Sequence, residues 1–174
     1  MSIPGLPVEQ RSITAPDGTL VFGHITLEVA SAMGCNQGEI RLLRGFQARD
    51  GKGFGYAHLS AKPARQRTLD GIGFRNIEAF VWHVARDYDA VTHSEGDRLT
   101  LLRDCRGYSL HVVIEWRCER EFWSVVTGLP KRAMPSTPEW QKVRTDRSEP
   151  RSNSAESLRF ATLSLPKSPA GKGS

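Results

Sequence analysis

Hydrophobic residues fall on a helical period most clearly between Asn76 and Asp89, where Ile77, Phe80, Val81, Val84, Ala85 and Tyr88 recur at spacings of three and four. The spacing predicts one apolar stripe on a helix. Asn76 is suited to cap its N-terminus, and Glu78 places an acid in the first turn, where the helix dipole favours it. A second, shorter helix is expected from about Tyr56, carrying His58, Lys62 and Arg65. Pro63 must then lie in a first turn or break the element, and the sequence leaves both options open.

Strand-like runs bracket these helices. Thr19–Thr26 and Glu39–Arg44 are short and bounded by glycine, whereas Arg98–Leu102, Tyr108–Trp116 and Glu121–Thr127 are rich in β-branched and aromatic residues. The short polar links between the last three imply an antiparallel meander. In its middle strand Leu110, Val112, Ile114 and Trp116 form one face, suited to pack on the helix. Ser109, His111, Val113 and Glu115 form the other, expected to be open to solvent or ligand. The fold class is α+β, with helices first and an antiparallel sheet curved over them.

The 174 residues, 39% of them hydrophobic, allow one ordinary core. Residues 1–18, with Pro4, Pro7, Pro16 and Asp17-Gly18, are expected to be an irregular arm, and 19–129 the folded domain. Residues 130–174 hold six prolines among Ser, Lys, Arg and Gly, and predict a mostly disordered basic tail. Within it Leu158–Leu165 could dock as a strand and Trp140 could anchor locally. No apolar run approaches the roughly 20 residues of a membrane span, and Met1–Gly5 lacks the build of a signal peptide, so a cytoplasmic chain without membrane contact is expected. Cys35, Cys105 and Cys118 have no Cys-x-x-Cys spacing and are expected to be free thiols, with no metal site.

The net charge of +5 resides in the expected tail, and the remainder is polarised rather than basic. From Arg41 to Arg75 stand Arg41, Arg44, Arg49, Lys52, Lys62, Arg65, Arg67 and Arg75 against only Asp50 and Asp70. Inside this segment Gly53-Phe54-Gly55-Tyr56-Ala57-His58-Leu59 sets a titratable imidazole after a glycine-bracketed turn, a setting that attracts phosphate. No serine elbow, phosphate-binding loop, His-Glu-x-x-His or acidic metal cluster supports other hydrolases or NTPases.

Gly38–Gly45, Gly53–Leu59, the helix ending Val84–Tyr88 and the strand Glu121–Thr127 together resemble the phage-associated branch of the barnase/EndoU/colicin/RelE-like nucleases. The likeness covers about Gly38 to Gly128. It implies helices followed by a four-stranded antiparallel sheet, and a cofactor-free, metal-independent endoribonuclease of toxin or phage-effector type. RNA would be its partner, together with an immunity or antitoxin protein; the oligomeric state stays open.

Such enzymes use the RNA 2′-hydroxyl to attack the adjacent phosphate, so they need a base, an acid and a cation or donor at the phosphorane. The resemblance makes His58 the base or acid, Lys62 and Arg65 the phosphorane cations, and Ser124 or Thr127 a donor to a phosphate oxygen. Arg41, Arg67, Tyr56 and Trp123 would bind substrate. Many relatives carry a second histidine where Pro63 stands here, which leaves His111 or His83 as the second proton-transfer group, or activity reduced or lost.

Each of these residues has a plainer role to weigh beside it. His58 could only cap a helix, His111 could be a half-buried structural residue, His83 a solvated one, and Arg65 and Arg67 an ordinary charged helix face. Ser124 and Thr127 could be sheet formers, and Trp82, Trp116 and Trp123 core residues. A catalytically inactive RNA- or protein-binding protein on the same scaffold is therefore the alternative function. A phage structural or DNA-associated protein acting through its tail is a third.

Overall fold

A computed structural model of the chain describes residues 7–132 and 137–143. The chain divides into a compact unit, 1–143, and a second, 144–174, which lies outside the described residues. The expected strand at Leu158–Leu165 lies there too.

Four α-helices are present among the described residues. Leu27–Met33 (α1) starts at Thr26, whose hydroxyl accepts from the Val29 amide. Gly55–Ser60 (α2) and Pro63–Ile72 (α3) occupy the stretch in which Pro63 left the reading open. Pro63 opens α3, where the missing N–H costs nothing and the fixed φ suits the helix. Ile77–Arg86 (α4) carries the predicted stripe, with Ile77, Phe80, Val81, Val84 and Ala85 all buried and the Asn76 side chain accepting from Ala79 N at 2.8 Å.

The strands are Gly23–Ile25 (β1), Gly38–Arg41 (β2), Phe46–Gln47 (β3), Gly53–Phe54 (β4), Ala90–His93 (β5), Arg98–Cys105 (β6), Tyr108–Arg117 (β7), Phe122–Lys131 (β8) and Trp140–Gln141 (β9). Seven form one sheet in the order β1-β2-β8-β7-β6-β5-β9, curled into a half-barrel, while β3 and β4 make a separate hairpin. The expectation of helices followed by a four-stranded antiparallel sheet is thus overturned, although the class is still α+β. The meander is there, but β1 and β2 extend it through a parallel pairing of β2 with β8, and β9 adds an antiparallel strand at the far edge. Parallel pairing needs a long crossover. Here the whole stretch from β3 to β7 separates the two partners, a distance over which sequence period carries no pairing signal.

α4 fills the hollow of the curl, touching β1 at one side and β6 and β7 at the other. Its approach to β1 is backbone to backbone: a Cβ on Gly23 would stand 1.9 Å from the Ala85 carbonyl oxygen, so only glycine fits. Phe22, Ile25, Ile40, Leu42, Leu59, Leu69, Phe80, Leu110 and Ile114 are essentially solvent-free in this core.

The described parts of the expected arm and tail reach further into the fold than the composition suggests. In the expected arm Ile13 N donates to Leu42 O, and Ala15 is buried. In the expected tail Pro130 and Lys131 complete β8, and Trp140 packs edge-on to Tyr88. β9 is strapped to β5 by Glu139, whose carboxylate takes the Thr92 hydroxyl, the His93 amide and His93 Nδ1, while Lys142 pairs with Asp87 at 2.7 Å. His93 is the last residue of β5. These bonds hold the Glu139 carboxyl below its usual range. A depressed carboxylate pKa stabilises above the unfolded value and is lost as pH falls through the folded one. The strap is accordingly expected to loosen below about pH 4.5, read as faster amide exchange at Lys142 than at Val112 in the core.

Candidate functional site

The hairpin β3–β4 holds the histidine region together. Gly45 enters it at φ +63°, with Phe54 O only 1.8 Å from where a Cβ would sit, and Asp50-Gly51 lies at its tip. Phe46 pairs with Phe54 and Gln47 with Gly53, so the aromatics share one face of the ribbon and Gln47 takes the other. On that second face His58, in α2, places Nδ1 2.6 Å from Gln47 Oε1. A carbonyl oxygen can only accept, so Nδ1 carries the proton and Nε2 keeps its lone pair.

The electrostatics agree with that state. His58 is half-buried, and burial first, then the Arg65 and Lys62 charges, pull its pKa below the usual imidazole value. At neutral pH the ring is uncharged, which a general base requires. Lys62, exposed at the turn between α2 and α3, makes no ion pair among the described residues. Arg65 is otherwise employed: its Nη1 donates to Leu59 O at 3.1 Å and reaches His58 O at 3.5 Å, capping α2 where the helix dipole favours a cation. Arg67 is exposed on α3.

The other sequence-derived candidates do not join this group. Cross-strand register sets Arg98, Glu115, Ser124 and Arg41 in one row on the sheet face turned away from α4. Thr127 lies on the same face. In a regular strand residues three apart point to opposite sides, but the irregularity opposite Val113 and Ile114 inserts one extra residue in β8 and brings Ser124 and Thr127 onto one side. Ser124 is fully buried with Oγ unpartnered, and Arg41 is bound to Glu39 and stacked 5.1 Å over Phe122.

His111 shares that face between Leu102 and Leu129. It is 4% exposed, its Nε2 has no partner, and burial together with Lys131 lowers its pKa to about 4. The face expected to be open is closed over this residue. A ring so placed is a core residue and not a proton shuttle for His58.

Trp123 is also structural. It is 2% exposed, donates Nε1–H to Asn36 O at 2.9 Å and meets Trp116 edge-on, so it offers no stacking surface. Tyr56 is half-buried against the core. His83 contacts Phe74 at a 5.2 Å centroid distance, with its pKa lowered chiefly by burial.

Two residues of the site went unread in the sequence, Gln47 and Phe46. The signal was present: an Asp-Gly turn between two Phe-containing pairs marks a hairpin, and a hairpin fixes which residue faces His58.

Among the described residues no group of three His, Cys, Asp or Glu side chains is placed to hold a metal ion. None of their helices is long and apolar enough to cross a membrane. Cys35, Cys105 and Cys118 are free. Compared with known proteins, the chain matches no family model, no curated protein and no solved structure.

Proposed function

We propose that the chain is a metal-independent endoribonuclease in which His58 Nε2 removes the proton from an RNA 2′-hydroxyl. The 2′-oxygen then bonds to the adjacent phosphorus, the bond to the 5′-oxygen breaks, and solvent protonates the leaving oxygen, giving a 2′,3′-cyclic phosphate. Lys62, the unpaired cation beside His58, stabilises the charge on the phosphorane, and Arg67 draws the phosphate chain in. The supporting observation is the Gln47–His58 contact, which fixes the tautomer that leaves Nε2 basic.

Ser124, Thr127 and His111 have no part in this reading: Ser124 and His111 are buried, and Thr127 lies on their face of the sheet. The absence of a second proton-transfer group at His58 among the described residues favours one further reading, an RNA-binding protein of the same geometry without turnover. One assay separates the two. The full chain, in excess chelator, is incubated with a single-stranded RNA and with the same sequence carrying 2′-deoxyribose throughout. Cyclic phosphate ends from the first substrate alone are expected. Binding of both without any cleavage identifies the binding protein.

A further inference from the structure

The exposed aromatic nearest this site is Phe46. It is 47% exposed, and it meets Phe54 edge-to-face at 5.4 Å, with 89° between the ring planes. Arg117 lies 5.1 Å over the Phe54 ring from β7. The lower aromatic is thereby held between a cation and Phe46, which cannot tilt away from solvent without losing the edge contact. The hairpin segment that carries it also holds Arg44, Arg49 and Lys52, all exposed, with Lys52 paired to Asp50 at the tip at 3.4 Å.

We infer that Phe46 is a stacking platform for an unpaired base, and that the ligand class of this face is single-stranded nucleic acid rather than duplex. An exposed ring on a segment rich in arginine and lysine suits a base flanked by phosphates. A paired base has both its faces covered and cannot use it. The ribbon then contacts the strand on two sides: Phe46 takes a base on one face, while Gln47 on the other holds His58. The inference rests on the nucleic-acid reading above, though not on turnover.

The test measures binding of a labelled 2′-O-methyl single strand, which cannot be cleaved, and of the same sequence as a blunt duplex, by anisotropy with the full chain. The single strand is expected to bind at least about tenfold tighter. Phe46→Ala is expected to weaken single-strand binding by about 5- to 100-fold, the range of one stacked base, and to leave duplex binding unchanged. Phe46→Trp is expected to retain wild-type affinity, which controls for folding.

Equal losses on strand and duplex, no loss in Phe46→Ala, or loss in Phe46→Trp overturns the platform. If Phe46→Ala binds normally while RNA is still cleaved, only the platform fails. If stacking holds and no RNA is cut, only the nuclease reading fails. If neither nucleic acid binds, both fall.

Discussion

Replacing His58 with alanine is expected to slow RNA cleavage by at least about 10²-fold, the low end for removal of a general acid–base group, with affinity for uncleavable RNA nearly unchanged. The asymmetry follows from geometry. His58 carries no charge at neutral pH and contributes little to phosphate attraction, which comes from Lys62, Arg67 and the hairpin bases. Lost binding with unaltered turnover would show His58 to be a docking residue only.

The pH profile sharpens the expectation. His58 must be neutral to act, and its pKa is depressed, so the rate rises with pH through an inflection below 6.5 and then levels. With no acid partner at the ring, the curve has one limb. A bell-shaped profile would require a second titrating group that the described residues do not place there.

The second large effect concerns stability. His111 is held neutral in the fold, with a pKa of about 4 against 6.5 for the unfolded chain. A histidine whose folded pKa is lowered binds fewer protons folded than unfolded. Its neutral form therefore carries no penalty above pH 6.5, and stability falls as pH drops from 6.5 towards 4. The full shift, discounted for partial solvent screening, amounts to about 2 kcal/mol across that window.

His111→Leu should flatten this slope while leaving stability at pH 7 unchanged or raised, because it removes a buried nitrogen with no hydrogen-bond partner. Urea unfolding at pH 7 and pH 4.5 measures both terms. A variant whose loss on acidification equals that of the wild type would contradict the placement of His111. The same variant should cleave RNA normally, since the proposed chemistry uses no group at this buried position.

Local order was readable where local physics determines it. The stripe from Ile77 to Ala85 and its Asn76 cap and the chain direction of the meander depend on neighbours within a few residues, whereas Pro63 left two placements open until α3 was seen to start at it. The sheet's breadth does not. Ile40 pairs with Trp123 across more than eighty residues, and β9 is two residues long, too short for any period to show.

The site divided on the same principle. His58, Lys62 and Arg65 lie within eight residues and stayed together, whereas Ser124 and Thr127 came from the resemblance and His111 from strand parity. Parity does not reveal what covers a face, and it fails at a bulge such as that near Val126. Trp123 shows the converse: a large ring with a polar tip reads equally as platform or core until its Asn36 partner is seen.

The claim on which the rest stands is a neutral His58 with Nδ1 protonated and Nε2 open beside a phosphate. NMR titration of the labelled full chain, with and without a 3′-nucleoside monophosphate, measures it. The expected result is an Nδ1–H tautomer, a pKa below 6.5 in the free protein, and a rise on adding the nucleotide as its phosphate favours the imidazolium. An Nε2–H tautomer, or a pKa that the nucleotide leaves unmoved, would contradict the account.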